Sequence, residues 1–156
     1  MKTELILVGK TVNKHIVACF NDYVERIAHY TPFNVTVIPE LKSTKNLSEQ
    51  QQKEREGELI LRQLQPADTV ILLDEHGQMM RSVQFAGWME KKRQTARRLV
   101  FVIGGAYGFS SAVYERAAEK ISLSPMTFSH QMVRLVFVEQ YYRACTIIKG
   151  EPYHHE

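Results

Sequence analysis

Leu99-Val100-Phe101-Val102-Ile103-Gly104-Gly105 is the stretch on which the fold turns. Its five apolar residues do not alternate with polar ones, so the strand they form has no wet face and needs a sheet covered on both sides. The glycines at its carboxyl end lack Cβ atoms and let another molecule approach the backbone closely. Further on, Ile121-Ser122-Leu123-Ser124-Pro125-Met126-Thr127-Phe128-Ser129-His130 runs from a short apolar strand, through a loop of hydroxyl residues, into the longest hydrophobic helix. Such a loop sets N–H and C=O groups beside an apolar wall, which suits a flat heterocycle with polar edges. The two stretches read as two lips of one pocket.

Working outward, Leu5-Ile6-Leu7-Val8, closed by Gly9, is another buried strand, and Thr69 to Leu73, ending at Asp74-Glu75-His76-Gly77, is a third. Phe33 to Ile38 lies between Pro32 and Pro39, with Phe33, Val35 and Val37 alternating with polar residues. Helical spacing is predicted from Lys14 to His29, where Ile16, Phe20, Tyr23, Val24 and Ile27 share a face. Lys42 to Asn46 reads as a mobile polar loop. Ser48 and Gln51 make a capping-box pair for a helix running to Leu64, which Gly57 weakens by roughly 1 kcal/mol. Ser82 can cap a helix to Thr95 with Phe85, Ala86 and Met89 inward; Ser111 to Lys120 is a shorter one. The last helix, His130 to Lys149, is stopped by Gly150 and Pro152. Strands alternating with helices predict an α/β fold with a parallel sheet, in a single domain over residues 1–156. Ligands in such sheets bind beyond the carboxyl ends of strands, where Leu73-Asp74, Gly104-Gly105 and the Ser124–Ser129 loop fall.

Twenty Lys and Arg against 17 Asp and Glu leave a formal +3, too small to mark nucleic acid binding by itself. Cys19 and Cys145 are far apart, without the spacing of a metal or redox pair, and read as reduced thiols of a cytoplasmic protein. Met1-Lys2-Thr3-Glu4 places an acid before a short strand, unlike a signal peptide. No apolar run approaches the roughly 18 residues of a membrane span.

Each motif has a plain reading beside its functional one. Gly104-Gly105-x-x-Gly108 is either a nucleotide-site turn or simply a tight turn; it lacks the full dinucleotide fingerprint and a following phosphate-loop lysine. Lys91, Lys92, Arg93, Arg97 and Arg98 form either an RNA-contacting run or a solvated helix end. His154-His155-Glu156 lacks distant partners at ligand spacing, so no metal is expected. On the last helix His130 and Arg134 share one face, and Glu139 and Arg143 share roughly the opposite one. Met132, Val133, Leu135, Val136, Phe137, Val138, Tyr141 and Tyr142 go nearly all round, as in a helix buried on every side. In so small a chain that predicts a homodimer interface, with a central core helix of a monomer as the other possibility.

Phe101-Val102-Ile103-Gly104-Gly105 with Gly108, Ser122-Leu123-Ser124-x-Met126-Thr127-Phe128-x-His130-Gln131, Glu139-Gln140-x-Tyr142-Arg143-Ala144 and Gly150-x-Pro152-Tyr153-His154, with Leu7-Val8-Gly9-Lys10 near the start, together resemble the RlmH family of bacterial SPOUT methyltransferases. The resemblance spans the whole chain. It implies methylation of N3 of a pseudouridine in helix 69 of 23S rRNA in the ribosome, with S-adenosylmethionine as cofactor. It also implies a C-terminal deep trefoil knot, where connection rules alone would draw an unknotted sheet, and a homodimer with the last helix at the interface. Ser129 departs from the family, which usually has proline there.

By the same resemblance, Leu73, Gly104, Gly105 and the backbone of Ser124, Pro125, Met126, Thr127, Phe128 and Ser129 are cofactor positions. A ring stacked on Leu73 or Phe128 would satisfy adenine. The candidates for the target base are His130, Arg134, Arg143, Tyr153 and His154. Arginine can neutralise a phosphate or an N3 anion, and histidine can take a proton near neutral pH; the sequence leaves the base unassigned. Arg134 and Arg143 point opposite ways on one helix, so one site would draw them from two subunits. The competing readings are a non-catalytic RNA-binding or ribosome-assembly factor and a small nucleotide-binding enzyme using the glycine turn for phosphates.

Overall fold

The computed structural model describes residues 1–155; Glu156, and with it the end of the His154-His155-Glu156 run, lies outside the described residues. Five parallel strands form one sheet: β1 (Lys2–Val8), β2 (Phe33–Ile38), β3 (Thr69–Met79), β4 (Arg98–Ile103) and β5 (Glu119–Ser122), in the order β2-β1-β4-β3-β5. The helices are α1 (Lys14–Ala28), α2 (Glu49–Arg62), α3 (Ser82–Thr95), α4 (Ser111–Arg116) and α5 (His130–Lys149). This is the expected α/β architecture.

Alternate residues of the central strands feed two cores. Leu5, Leu7, Ile71, Leu99 and Phe101 pack under α1, α3 and α5; Ile6, Val70, Leu72, Val100 and Val102 pack under α2 and α4. With both faces covered, the uninterrupted apolar run of β4 has its explanation: Leu99 to Val102 are all fully buried. Phe101 meets Phe137 at 4.9 Å between ring centroids, so α5 sits directly over the middle of the sheet.

Several boundaries differ from expectation. The spacing of β2 suggested an inward Val37, yet Val37 is 42% exposed, because β2 is an edge strand and its end leaves the cover of α1. Thr44–Asn46 forms a short 3-10 turn inside the expected polar loop. Ser48 and Gln51 do close a capping box on α2. On α3 the cap is Arg81, whose N–H donates to Gln84 Oε1 at 2.8 Å, while Ser82 turns its hydroxyl to Gln140 Oε1 at 2.8 Å. The helix α4 stops at Arg116, and Glu119 and Lys120 join β5 instead, pairing with Ile71 and Leu72. Glu119 is at ease there because its carboxylate accepts from Trp88 Nε1 at 2.8 Å and from Lys92 Nζ at 2.6 Å.

The largest departure is in β3. It does not end at Leu73 but loops out over residues 74–77 and resumes, so that both Leu73 and Gln78 pair with Ile121. Gly77 makes the return possible: a Cβ there would lie 2.6 Å from the backbone nitrogen and carbon of Ile121. Backbone cannot yield as a flexible side chain does. Replacing Gly77 by alanine is therefore expected to pry β3 from β5 at about 1–3 kcal/mol, read as a lower urea midpoint with an unchanged slope.

Nor is α5 buried on every side. Its fully buried residues, among them Phe137, Val138, Tyr141, Ala144 and Cys145, form a stripe toward the sheet, while Met132 on the outward side is 41% exposed. The helix is less evenly covered than its composition suggests, because α1 and α3 flank it but no element among the described residues roofs it along its whole length.

Candidate active site

A cleft of about 710 Å³, a size suited to a small organic ligand, opens at the carboxyl ends of β4 and β5 and over the outward loop of β3 that follows Leu73. Leu73, Gly104, Gly105, Ser124, Met126, Thr127, Phe128 and Ser129, all expected cofactor positions, line it together with His130. Pro125, also expected there, belongs to the same loop and is exposed without lining the cleft. The two lips read from the sequence thus meet across one opening.

Local hydrogen bonds shape the upper lip. Ser122 Oγ donates to the Ser124 carbonyl at 3.0 Å, and the Met126 N–H donates to Ser124 Oγ at 3.0 Å. Ser129 caps α5, its Oγ accepting the Met132 N–H at 3.2 Å. Its φ of −63° is the value proline would impose, so serine keeps the backbone of this corner and adds a cap.

The lower lip is held from behind. The Gly105 N–H donates to Glu56 Oε1 at 3.0 Å, bringing a carboxylate from α2 against the glycine turn. Burial pushes the Glu56 carboxyl above its ordinary range, against the opposing pull of the Gly105 hydrogen bond and of His130. On the outer wall, Asp74 accepts the His76 N–H at 2.8 Å and the Tyr114 hydroxyl. Burial first, then Asp74, pushes the Tyr114 hydroxyl up to about 12, so it stays a neutral donor. Glu56 and Tyr114 were not among the sequence candidates. Glu56 comes from a helix remote in sequence and Tyr114 from the short helix between the two lips, and no spacing pattern signals either.

The candidates on α5 and beyond separate into two groups. Arg134 is 2% exposed and faces back into the fold, donating to the Val8 carbonyl at 2.6 Å and to Thr11 Oγ1 at 2.8 Å. Gln131 Oε1 also accepts the Val12 N–H at 2.8 Å, so the first turns of α5 clamp the chain leaving β1. Arg143, Tyr153 and His154 gather elsewhere. Arg143 donates to Glu139 Oε1 at 2.6 Å, meets His154 Nδ1 at 3.2 Å, and lies over the Tyr153 ring at 4.8 Å. The bond to Glu139, foremost, keeps Arg143 firmly cationic. Burial first, then Tyr23 and Glu139, holds the Tyr153 hydroxyl well above its usual range. His130 and Arg143 are 13 positions apart on one helix, about 20 Å along its axis. Within one chain this second group does not reach the cleft.

The basic run is mostly engaged in the fold and lies on the far rim. Lys92 pairs with Glu119, Arg93 reaches Cys145 at 3.5 Å, and Arg98 bonds the Gln63 carbonyl at 3.3 Å and faces Asp68. Arg98 opens β4 whereas the cleft lies past Ile103 at its other end. Among the described residues no cluster of His, Cys, Asp or Glu is arranged to hold a metal, and no helix is long and apolar enough to cross a membrane.

Residues 1–154 match the family model described as "Predicted SPOUT methyltransferase". A Bacteroides fragilis protein named ribosomal RNA large subunit methyltransferase H is 64% identical over 157 residues, covering 100% of each chain. Proteins of the same name from Phocaeicola vulgatus and Christiangramia forsetii are 62% and 55% identical, covering 100% and 99% of each chain respectively.

Proposed function

The chain belongs to the SPOUT methyltransferase family and is an rRNA methyltransferase, and we propose that it carries the methyl group of S-adenosylmethionine to N3 of a pseudouridine in helix 69 of 23S rRNA, on the assembled ribosome. The observation that carries this reading is the cleft itself. It joins an apolar wall of Leu73, Ile103, Ile121 and Phe128 to a rim of backbone and hydroxyl groups from Gly104-Gly105 and the Ser124–Ser129 loop. That donor set fits a nucleoside and an amino-acid tail without a phosphate.

When bound, S-adenosylmethionine supplies a methyl group already activated by its sulfonium, so the protein's work is orientation and proton removal. Leu73 and Phe128 offer faces for the adenine ring, and the loop backbone can read its edges. His130 lines the cleft and would accept the N3 proton. Arg134 would act indirectly, by fixing the start of α5 and so the position of His130. Arg143, Tyr153 and His154 would serve the cleft of a second copy, with Arg143 offsetting negative charge on the base or backbone. Tyr153 is a phenol that donates and stacks, since its hydroxyl stays protonated.

The reading includes a homodimer through α5, a deep trefoil knot, a single domain and a cytoplasmic place of action, where ribosomes are. Lys92 and Arg98 of the basic run are paired with Glu119 and Asp68, which speaks against a binding factor that works through that surface as a whole. Calorimetry should show binding of one S-adenosylmethionine per cleft, and tritium from labelled cofactor should appear in ribosomes lacking the modification. Protein that binds ribosomes yet neither takes up the cofactor nor transfers label would return the non-catalytic reading.

A further inference from the structure

Glu56 belongs to none of the expected positions, yet it makes the one side-chain bond to the glycine turn among those recorded for the described residues. Its helix is pressed close. The neighbouring Gly57 is buried, and a Cβ there would collide with Ser110 Oγ, in the loop that follows the turn. A Cβ on Gly105 would come within 2.6 Å of the Glu56 carboxylate. The carboxylate is thus seated against Gly105 with little room to move.

Gly104 and Gly105 line the cleft, whereas Glu56 does not, so the carboxylate takes the Gly105 N–H from the side away from the opening. The peptide between the two glycines is trans, as are all peptides among the described residues. In a trans peptide the N–H and C=O point opposite ways. With both flanking residues glycine, this unit would otherwise turn easily. We infer that Glu56 is a positioning residue: by holding the Gly105 N–H it fixes the Gly104 carbonyl toward the cleft as an acceptor for an N–H or O–H group of the cofactor. The inference rests on the proposed binding of S-adenosylmethionine in this cleft.

The test combines cofactor calorimetry, steady-state kinetics and hydrogen exchange of the Gly105 amide. Glu56→Ala is expected to weaken S-adenosylmethionine about tenfold, the worth of one well-placed hydrogen bond, with KM rising and kcat nearly kept. Glu56→Gln, whose side-chain carbonyl still accepts the N–H, should bind within about threefold of the unaltered protein. The Gly105 amide should be protected in the unaltered and Gln proteins and exchange fast in the Ala protein. Should Glu56→Ala fail to fold, Glu56→Asp, one methylene too short, takes its place with the same expected loss. Unchanged affinity in the Ala or Asp protein overturns the inference alone. So does a fall in kcat and unfolding midpoint that Gln does not rescue. An unaltered protein that takes up no cofactor overturns the proposed function and this inference together.

Discussion

A chain ending at Pro152 is expected to keep its fold and its affinity for S-adenosylmethionine but to lose methyl transfer roughly a hundredfold or more, the scale of a lost catalytic group. Residues past a helix stop usually fray, whereas residues 151–154 are tied back to the fold. Gly150 sits in the left-handed region and donates to the Ile147 carbonyl at 3.0 Å, while Glu151 donates to the Thr146 carbonyl at 3.0 Å. This pair of bonds is a Schellman turn, and it sends the chain back along α5. Tyr153 then packs edge-on against Tyr142 at 4.8 Å, bonds Glu139 at 3.0 Å and meets the Tyr23 hydroxyl at 3.2 Å. Such a seat on the surface adds little to global stability, and its contacts on α5, Glu139 and Tyr142, lie about 14 and 18 Å along the axis from His130. Its removal therefore has no route to cofactor binding within the chain. Its polar groups instead form a prepared face of one cation, one phenol and one imidazole. Tritium transfer to ribosomes lacking the modification, compared between full-length and shortened protein, measures the effect. A shortened protein that transfers label at the full rate would reduce the segment to a helix stop.

Much of the sheet was readable because its strands are buried on both faces. Runs such as Leu5–Val8 and Leu99–Ile103 have no other home, and parallel strands follow from the helices between them. The errors fell where tertiary contacts override local pattern. Glu119 and Lys120 look helical in isolation; they are strand residues because Trp88 and Lys92 wait for the Glu119 carboxylate. The return of β3 after its outward loop depends on Gly77 meeting the backbone of Ile121, a contact between residues 44 positions apart.

The cleft was legible for a related reason. Glycines and hydroxyl residues after buried strands carry their chemistry in the backbone, and the apolar runs before Gly104 and Ser124 were readable. What supports the cleft was not. Glu56 lies on a charged helix where nothing distinguishes it from Glu54 or Glu58, and only the fold brings it to Gly105. For Arg134 the sequence offered the charge but not its partners: its guanidinium donates to the Val8 carbonyl and to Thr11 Oγ1, both more than 120 positions away.

Changing Val136 to arginine is expected to yield a monomer that binds S-adenosylmethionine and transfers almost nothing, a loss again of roughly a hundredfold. Met132, Val136, Glu139 and Arg143 follow one another at helical spacing along the outward side of α5. Their upper half is apolar and their lower half carries the Arg143 cluster. An isologous pair of such helices can run parallel or antiparallel about a two-fold axis, and of the two only the antiparallel crossing would bring the Arg143 end of one copy to the His130 end of the other. Val136 lies six positions from His130 and seven from Arg143, about 9 and 10 Å along the axis. An antiparallel crossing at Val136 would therefore set the Arg143, Tyr153 and His154 of one copy beside the His130 and cleft of the other. Arginine at that crossing would put two cations face to face in a desolvated seam. Light scattering at micromolar concentration reads the assembly, and label transfer reads the chemistry. Because each Val136 would meet its own counterpart, mixing Val136→Arg with Val136→Glu protein should restore dimers and activity together, while either alone stays monomeric. A Val136→Arg monomer with full activity would show that each chain works with its own cleft alone.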